Sequence, residues 1–176
     1  MAEVKMEKYY QAYDKRYQQI HNLKLQWSSD VVTPILQELT VQFGIRKTDK
    51  ILEIGCGEGR DALWLLEQGY DILATDVSKE AISYCKKKNS KFSHLFFQLD
   101  VCEERLPQTF KFIYSISVIH MLVNQEDRNR FLTFIRDHLD EDGYGLILTM
   151  GDGEYEVTGD ITSAFDSVKR THQGTG

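Results

Sequence analysis

Residues 51–60, Ile51-Leu52-Glu53-Ile54-Gly55-Cys56-Gly57-Glu58-Gly59-Arg60, run from an apolar strand into glycines at alternate positions, and a helical pattern begins directly behind them. Glycine is required where the chain turns with positive φ or where a ligand must touch backbone. A run of exposed N–H groups closed by a helix N-terminus attracts an anionic group. The pattern predicts a nucleotide-type site at the carboxyl end of the first strand of a doubly wound sheet. A dinucleotide fold wants G-x-G-x-x-G, and Arg60 stands where its third glycine falls. Glu53, just upstream of Gly55, would repel a pyrophosphate and welcome a cation. The loop therefore suits a zwitterionic or cationic nucleoside better than NAD.

Outward from this loop, short apolar runs alternate with helical patterns as far as Met150. The runs KILEIGC, YDILATD, HLFFQLD, FKFIYSIS and YGLILTM are nearly continuous in apolar character, as parallel strands covered on both faces are. Between them, Arg60–Gln68 ends at Gly69, a natural C-cap. Ser78–Asn89 opens on an N-cap serine and closes on Lys86, Lys87 and Lys88, favourable beside a helix C-terminus. Gln125–Leu139 carries Phe131, Phe134, Ile135, His138 and Leu139 at helical spacing. Strand–helix–strand repetition of this kind predicts an α/β fold, a doubly wound, mostly parallel sheet with helices on both faces.

Two helical patterns precede the sheet. Met6, Tyr9, Tyr10, Tyr13, Tyr17 and Ile20 form one face, and Val32, Ile35, Leu36, Leu39 and Phe43 another, with Thr33-Pro34 at its start and Gly44 at its end. Either both faces pack on the sheet or on each other, or the Tyr-rich helix and Trp27 close as a lid over a ligand. The sequence permits both. After Met150 the pattern fades into GDGEYEVTGDITSAFDSVKRTHQGTG, with at most a short strand near Tyr155–Thr158.

The length of 176 residues fits one domain, at roughly 100–200 residues each. Its parts are a helical cap over 1–44, a core over 45–150 and a partial C-terminal segment over 151–176. With 21 Lys+Arg against 27 Asp+Glu, the net charge of −6 disfavours nucleic acid and anionic membrane, which select basic surfaces. A hydrophobic share of 41% is enough to build a core. Cys56, Cys85 and Cys102 form no CxxC and no zinc spacing, which predicts a reduced compartment and no metal site. The polar N-terminus is not a signal peptide, and no run approaches the ~18 apolar residues of a membrane span. A soluble, cytoplasmic protein is expected. No feature sets an oligomeric state.

Two more acids stand at strand ends. Asp76 closes YDILATD about 20 residues after the glycines, where a carboxylate can accept from both ribose hydroxyls. Asp100, in Gln98-Leu99-Asp100-Val101, can accept from an adenine amino group. Singly, such acids are ordinary solvated strand ends or helix caps. Glu53, the glycines, Asp76 and Asp100 on consecutive strand tips converge on one crevice.

On these residues the chain resembles the class I S-adenosylmethionine-dependent methyltransferases over roughly Val31 to Met150. It carries E-x-G-x-G-x-G as Glu53–Gly59, the ribose acid as Asp76 and the adenine acid as Asp100. Phe110 through SISVIHML to Leu122 is similar to the family's segment under the cofactor. The stretch GCGEGRDALWLLEQGYDILATDVSKEAI most resembles the small-molecule branch, the tellurite-resistance, thiopurine and ubiquinone-pathway types.

The resemblance implies that Gly55, Cys56, Gly57 and Gly59 hold the methionine moiety of S-adenosylmethionine, with Glu53 organising its amino group. Asp76 would bind the ribose, with Val77 packing on adenine. Asp100 would meet the adenine amino group beside the Val101 backbone. Ile116 and Ser117 would lie along the methionine portion, and Trp27 would join the cofactor site if the lid reading holds. Two departures stand out. Lys111 replaces the family's usual Asp on strand four, and the family's final antiparallel strand pair is incomplete, which would leave strand five's flank open.

Methyl transfer from a sulfonium needs a nucleophile in line behind the methyl. Orientation alone can supply up to ~7–11 kcal/mol, so no triad is expected. His120, after strand four, is the candidate general base, since imidazole titrates near working pH. Its bland alternative is packing. His21, His94, His138 and His172 read as surface or packing residues, and Cys56 as a small residue filling the loop. Asp152 and Glu154 are candidates to line the site of a small-molecule acceptor. The other function in view is a cofactor-binding module or sensor without turnover.

Overall fold

The structure is a computed structural model and describes residues 8–149. Met6, the strand expected near Tyr155–Thr158, Asp152, Glu154 and His172 lie outside the described residues.

Strands β1 (Lys50–Ile54), β2 (Asp71–Asp76), β3 (Phe96–Gln98), β4 (Phe110–Ile116) and β5 (Leu139–Leu148) form one sheet in the order β3-β2-β1-β4-β5. Every pairing is parallel. Helices α1 (Tyr13–Asn22), α2 (Pro34–Gln42), α3 (Arg60–Glu67), α4 (Lys79–Lys88) and α5 (Gln125–His138) complete the described chain with three short 3-10 turns. The fold class expected from the alternating runs is the one observed.

Period-two alternation along β1 sends Ile51 to one face of the sheet and Leu52 and Ile54 to the other. Ile51, Ile72, Phe96 and Phe112 pack with Leu36 of α2, Leu65 of α3 and Ile82 of α4. Leu52, Ile54 and Ile113 pack with Phe131, Phe134 and Ile135 of α5 and with Tyr10. Because both faces are covered, β1 is buried continuously from Ile51 to Ile54, Glu53 included, without alternation. Phe134 is fully buried, and truncating such a phenylalanine to alanine costs about 3–5 kcal/mol. Among the described residues no helix is long and apolar enough to cross a membrane.

Helix ends follow their local chemistry. Ser78 Oγ accepts from Ala81 N at 3.0 Å, capping α4, and Lys86, Lys87 and Lys88 sit in its last turn. Three elements depart from the sequence reading. The Tyr-rich segment begins as a 3-10 turn over Tyr9–Ala12 before α1 takes over. HLFFQLD contributes only Phe96–Gln98 as strand, since β3 pairs with β2 alone and Ser90–Leu95 is a 3-10 turn. β5 starts early, with Leu139 opposite Phe110, and a register shift opposite Phe110/Phe112 precedes the pairing of Tyr144 with Phe112.

Candidate functional site

Chain order reverses between β1 and β4, and the crevice beyond their carboxyl ends is where such sheets bind ligands. A cavity of about 1220 Å³ opens there. Its floor is Glu53, the loop Gly55–Gly57, Asp76, Val77 and the Leu99–Val101 corner. Ile116, Ser117 and His120 close one side, and Tyr10, Tyr13, Tyr17 and Trp27 form the roof. A second cavity of about 540 Å³ lies at the opposite end of the strands, among Arg46, Asp49, Lys111 and Asp142. Its charges pair with each other, Arg46 with Asp49 at 2.6 Å and Lys111 with Asp142 at 2.7 Å. It holds neither the glycine loop nor the strand-tip acids.

The glycine loop is tied to β2. Gly55 N and Cys56 N both donate to Thr75 O at 2.8 Å, and Gly57 N donates to Asp76 Oδ2 at 2.8 Å. Gly57 has φ +53°, a conformation that L side chains rarely adopt. Gly59, at φ +82°, does not line the cavity. A Cβ there would stand 3.0 Å from Cys85 Sγ and 3.1 Å from the Phe96 ring, so its missing side chain serves packing. The Cys56 thiol is buried, and its contact with Cys85 together with burial holds its pKa well above the ordinary thiol value.

Glu53 is only 3% exposed, and its Oε2 has no hydrogen-bond partner. Burial, followed by the nearby Asp61 charge, pushes its carboxyl up to about 8. The Tyr114 hydroxyl and Arg60 pull the other way. Tyr114 Oη also lacks a partner in good geometry, so its pull on Glu53 acts through proximity and not through a formed hydrogen bond. A buried carboxylate left in this state is costly until a cation meets it.

Asp76 is buried and accepts Gly57 N on one oxygen and Ser78 N on the other, each at 2.8 Å. Burial still raises its carboxyl, against the pull of those two N–H groups. Asp100 accepts from Tyr10 Oη at 3.1 Å, Gln11 Nε2 at 3.3 Å and Cys102 N at 3.0 Å. Ser117 adopts φ +59° at the end of β4, a conformation uncommon outside glycine, and its N donates to Leu148 O at 2.8 Å. His120 Nδ1 lies 3.5 Å from Thr149 Oγ1.

The Tyr-rich segment packs, with Tyr10 and Tyr17 buried, and its Tyr9, Tyr10, Tyr13 and Tyr17 also line the cavity. Tyr13 Oη meets Met121 Sδ at 2.7 Å, and the Tyr17 and Trp27 rings lie 5.8 Å apart. What holds this roof was absent from the sequence reading. Glu58, in the glycine loop, accepts Trp27 N at 2.9 Å, Ser28 N and Ser28 Oγ at 2.8 Å, and faces His21 Nε2 at 3.1 Å. Burial would raise its carboxyl, but the N–H groups of Ser28 and Trp27 outweigh that and hold it below the usual value. Asp61 accepts Thr33 N at 2.8 Å and Thr33 Oγ1 at 2.9 Å. Asp14 of α1 accepts Ser78 Oγ and Glu80 N at 2.8 Å, at the N-terminus of α4. His21, expected on the surface or in packing, stacks on Tyr84 and bridges Glu58 and Glu80. The one local hint was that Asp61 and Asp14 fall in the first turns of helices.

The arrangement is therefore an aromatic-roofed cavity whose floor offers a buried carboxyl group with one unpartnered oxygen and two strand-tip acids. Residues 51–143 match the family described as methyltransferase domain. The chain is 29% identical over 103 residues to the probable S-adenosyl-L-methionine-dependent methyltransferase TehB of Haemophilus influenzae, a match covering 56% of this chain and 35% of that protein. It thus spans about a third of that relative's length. Among solved structures, a TehB-like SAM-dependent methyltransferase from Corynebacterium glutamicum superposes with a TM-score of 0.56 at 25% identity, covering 86% of this chain and 78% of that one. The glycopeptide N-methyltransferase MtfA superposes with a TM-score of 0.63 at 22% identity, covering 74% of this chain and 58% of that one, a likeness of fold. Since the family match takes in more than half of the sequence, from β1 through its loop and the strand tips to β5, this chain belongs to the methyltransferase domain family.

Proposed function

We propose that the chain transfers a methyl group from S-adenosylmethionine to a small-molecule acceptor and releases S-adenosylhomocysteine. The observation that carries this reading is Glu53, a buried carboxylate with an orphaned oxygen on the cavity floor. It fits the ammonium of an amino-acid moiety and would be a liability under a phosphate. A carboxylate has about four lone-pair sites. Asp76 uses two of them on backbone N–H groups, which leaves room for ribose hydroxyls. Asp100 retains capacity beside its three donors for an adenine amino group, next to Val101. Gly55, Cys56 and Gly57 would border the methionine chain, with Val77, Ile116, Ser117 and Trp27 enclosing the rest.

When bound, the sulfonium supplies an electrophilic methyl carbon; the acceptor's lone pair forms the new bond while the S–CH3 electrons stay on sulfur. This chain's residues orient the pair and exclude water, the role of the Tyr13, Tyr17 and Trp27 roof. His120 would take the acceptor's proton where the nucleophile arrives protonated. The methyltransferase names of the relatives favour turnover over binding alone. The net charge of −6 and the three free, buried cysteines favour a reducing, cytoplasmic setting and an acceptor other than nucleic acid.

The test is calorimetric titration of S-adenosylmethionine and S-adenosylhomocysteine into the protein and into Asp76→Ala, followed by methylation of a metabolite extract with labelled cofactor. Micromolar binding weakened about tenfold or more by the substitution, with label transferred, supports the reading. A folded protein that binds neither molecule overturns it.

A further inference from the structure

Resting on that reading, we propose that the acceptor is an anion on a planar aromatic frame, and that Arg16 is the residue that selects it. At about 1220 Å³ the cavity exceeds the roughly 300–1,000 Å³ that encloses one small ligand, so a second molecule has room beside the cofactor. The floor acids belong to the cofactor half. The mouth is built by α1, the Tyr9–Ala12 turn and Trp27, and it meets the floor where Tyr10 and Gln11 donate to Asp100.

In that mouth the Arg16 guanidinium lies 4.6 Å from the Tyr13 ring centroid and 5.2 Å from that of Tyr9, and donates to Tyr9 Oη at 3.2 Å. Tyr13 and Trp27 meet edge to face with centroids 6.2 Å apart, and Trp27 remains 45% exposed. Aromatic walls without a cation would suit a quaternary ammonium. Here the guanidinium already occupies the Tyr9 and Tyr13 rings, and its charge repels a second cation.

Among the described residues no carboxylate lies within ion-pair distance of Arg16, whereas Arg60, the other arginine lining the cavity, pairs with Asp61 at 2.7 Å. The cavity's acids are turned elsewhere, Glu58 to the Trp27–Ser28 backbone, Asp76 to Gly57 and Ser78, and Asp100 to Tyr10 and Gln11. A guanidinium pairs with a carboxylate in a two-pronged geometry, and Arg16, set beside the Tyr9 and Tyr13 rings, offers that cation to the cavity. The acceptor's ring then lies against the half-exposed Trp27, and its negative group faces Arg16.

The experiment uses three probes of one shape and different charge: 2-naphthoate, 2-naphthamide and 2-naphthylmethylammonium. Each is titrated into the whole protein with and without saturating S-adenosylhomocysteine. The anion is expected to bind at least tenfold more tightly than the amide, and the ammonium not measurably. Arg16→Gln should erase the preference for the anion while changing amide affinity less than twofold, and Arg16→Lys should keep part of it. Equal affinity for anion and amide, a preference that survives Arg16→Gln, or binding of none of the probes overturns the proposal. If the probes behave as expected but S-adenosylhomocysteine does not bind, the anion site stands and the methyl-transfer reading falls instead.

Discussion

The Tyr17 hydroxyl stands 2.7 Å from the point a Cβ on Gly57 would occupy, so the roof of the cavity rests directly on the glycine loop. Gly57→Ala therefore meets two penalties, the φ of +53° and the hydroxyl. The left-handed conformation alone costs about 1–2 kcal/mol. We expect Gly57→Ala to lower Tm by roughly 4–8 °C. Tyr17→Phe removes the nearer atom and leaves the ring carbon at 3.8 Å, ordinary contact. The alanine should thus cost less in the Tyr17→Phe background, by roughly 0.5–1 kcal/mol in a double-mutant cycle. Strict additivity would show that loop and roof are not in contact.

Glu53 should make ligand binding release a proton. Its carboxyl, at about 8, is largely protonated at pH 7, and an arriving ammonium favours the carboxylate. Titrations of S-adenosylhomocysteine at pH 7 in buffers of different ionisation enthalpy should report close to one proton released, and none in Glu53→Gln. The same variant should bind about tenfold more weakly or worse. An identical buffer dependence in both proteins would remove Glu53 from the site.

The free protein's stability carries the same signature. A carboxyl raised from 4.5 to about 8 on folding contributes stability that is fully present below pH 4.5 and lost as pH rises through 8. Relative to Glu53→Gln, the wild type should lose on the order of a few kcal/mol over that interval. Urea melts at pH 5, 6.5 and 8 read this directly. A constant difference between the two proteins would contradict it.

Glu58 acts with the opposite sign. Its carboxyl is held low, so its contribution is complete above the ordinary glutamate range and fades as pH falls through its folded value. Glu58→Gln keeps the shape and drops the charge that Trp27 N, Ser28 N and Ser28 Oγ donate to. Hydrogen exchange over 22–33 should accelerate in this variant while β1 keeps its protection. Unchanged exchange over that segment would mean the roof is held by its aromatic packing alone.

His120→Ala should lower kcat by roughly 10²–10⁴ for an acceptor that arrives protonated, and much less for one already ionised at the assay pH. A merely structural His120 would lower both rates alike.

The local features of this chain were legible in its sequence, and the distant ones were not. β1, β2, β4 and the loop between Glu53 and Gly59 announce themselves through continuous apolar runs and glycine spacing, which are properties of neighbouring residues. Glu58, Asp61 and Asp14 acquire their roles from Trp27 and Ser28, from Thr33, and from Ser78 and Glu80, all remote in sequence. Beyond the first-turn positions of Asp14 and Asp61, nothing in their own surroundings distinguishes them from solvated acids. Gly59 illustrates the converse. It shares the alternate spacing of Gly55 and Gly57 but faces Cys85 and Phe96, and spacing cannot tell a ligand-facing glycine from a packing one.

The anchoring of the Tyr-rich segment also sets an order of events during synthesis. Asp14 finds its partners 64 and 66 residues later, and Tyr10 meets Asp100 after an interval of 90. At about 5–20 residues per second, the first-made aromatic face waits roughly 5–20 s before the surface it docks on leaves the ribosome. During that interval Tyr10, Tyr13 and Tyr17 lack the surface they pack on in the folded chain, so the aromatic face stays exposed while its partners are still being made.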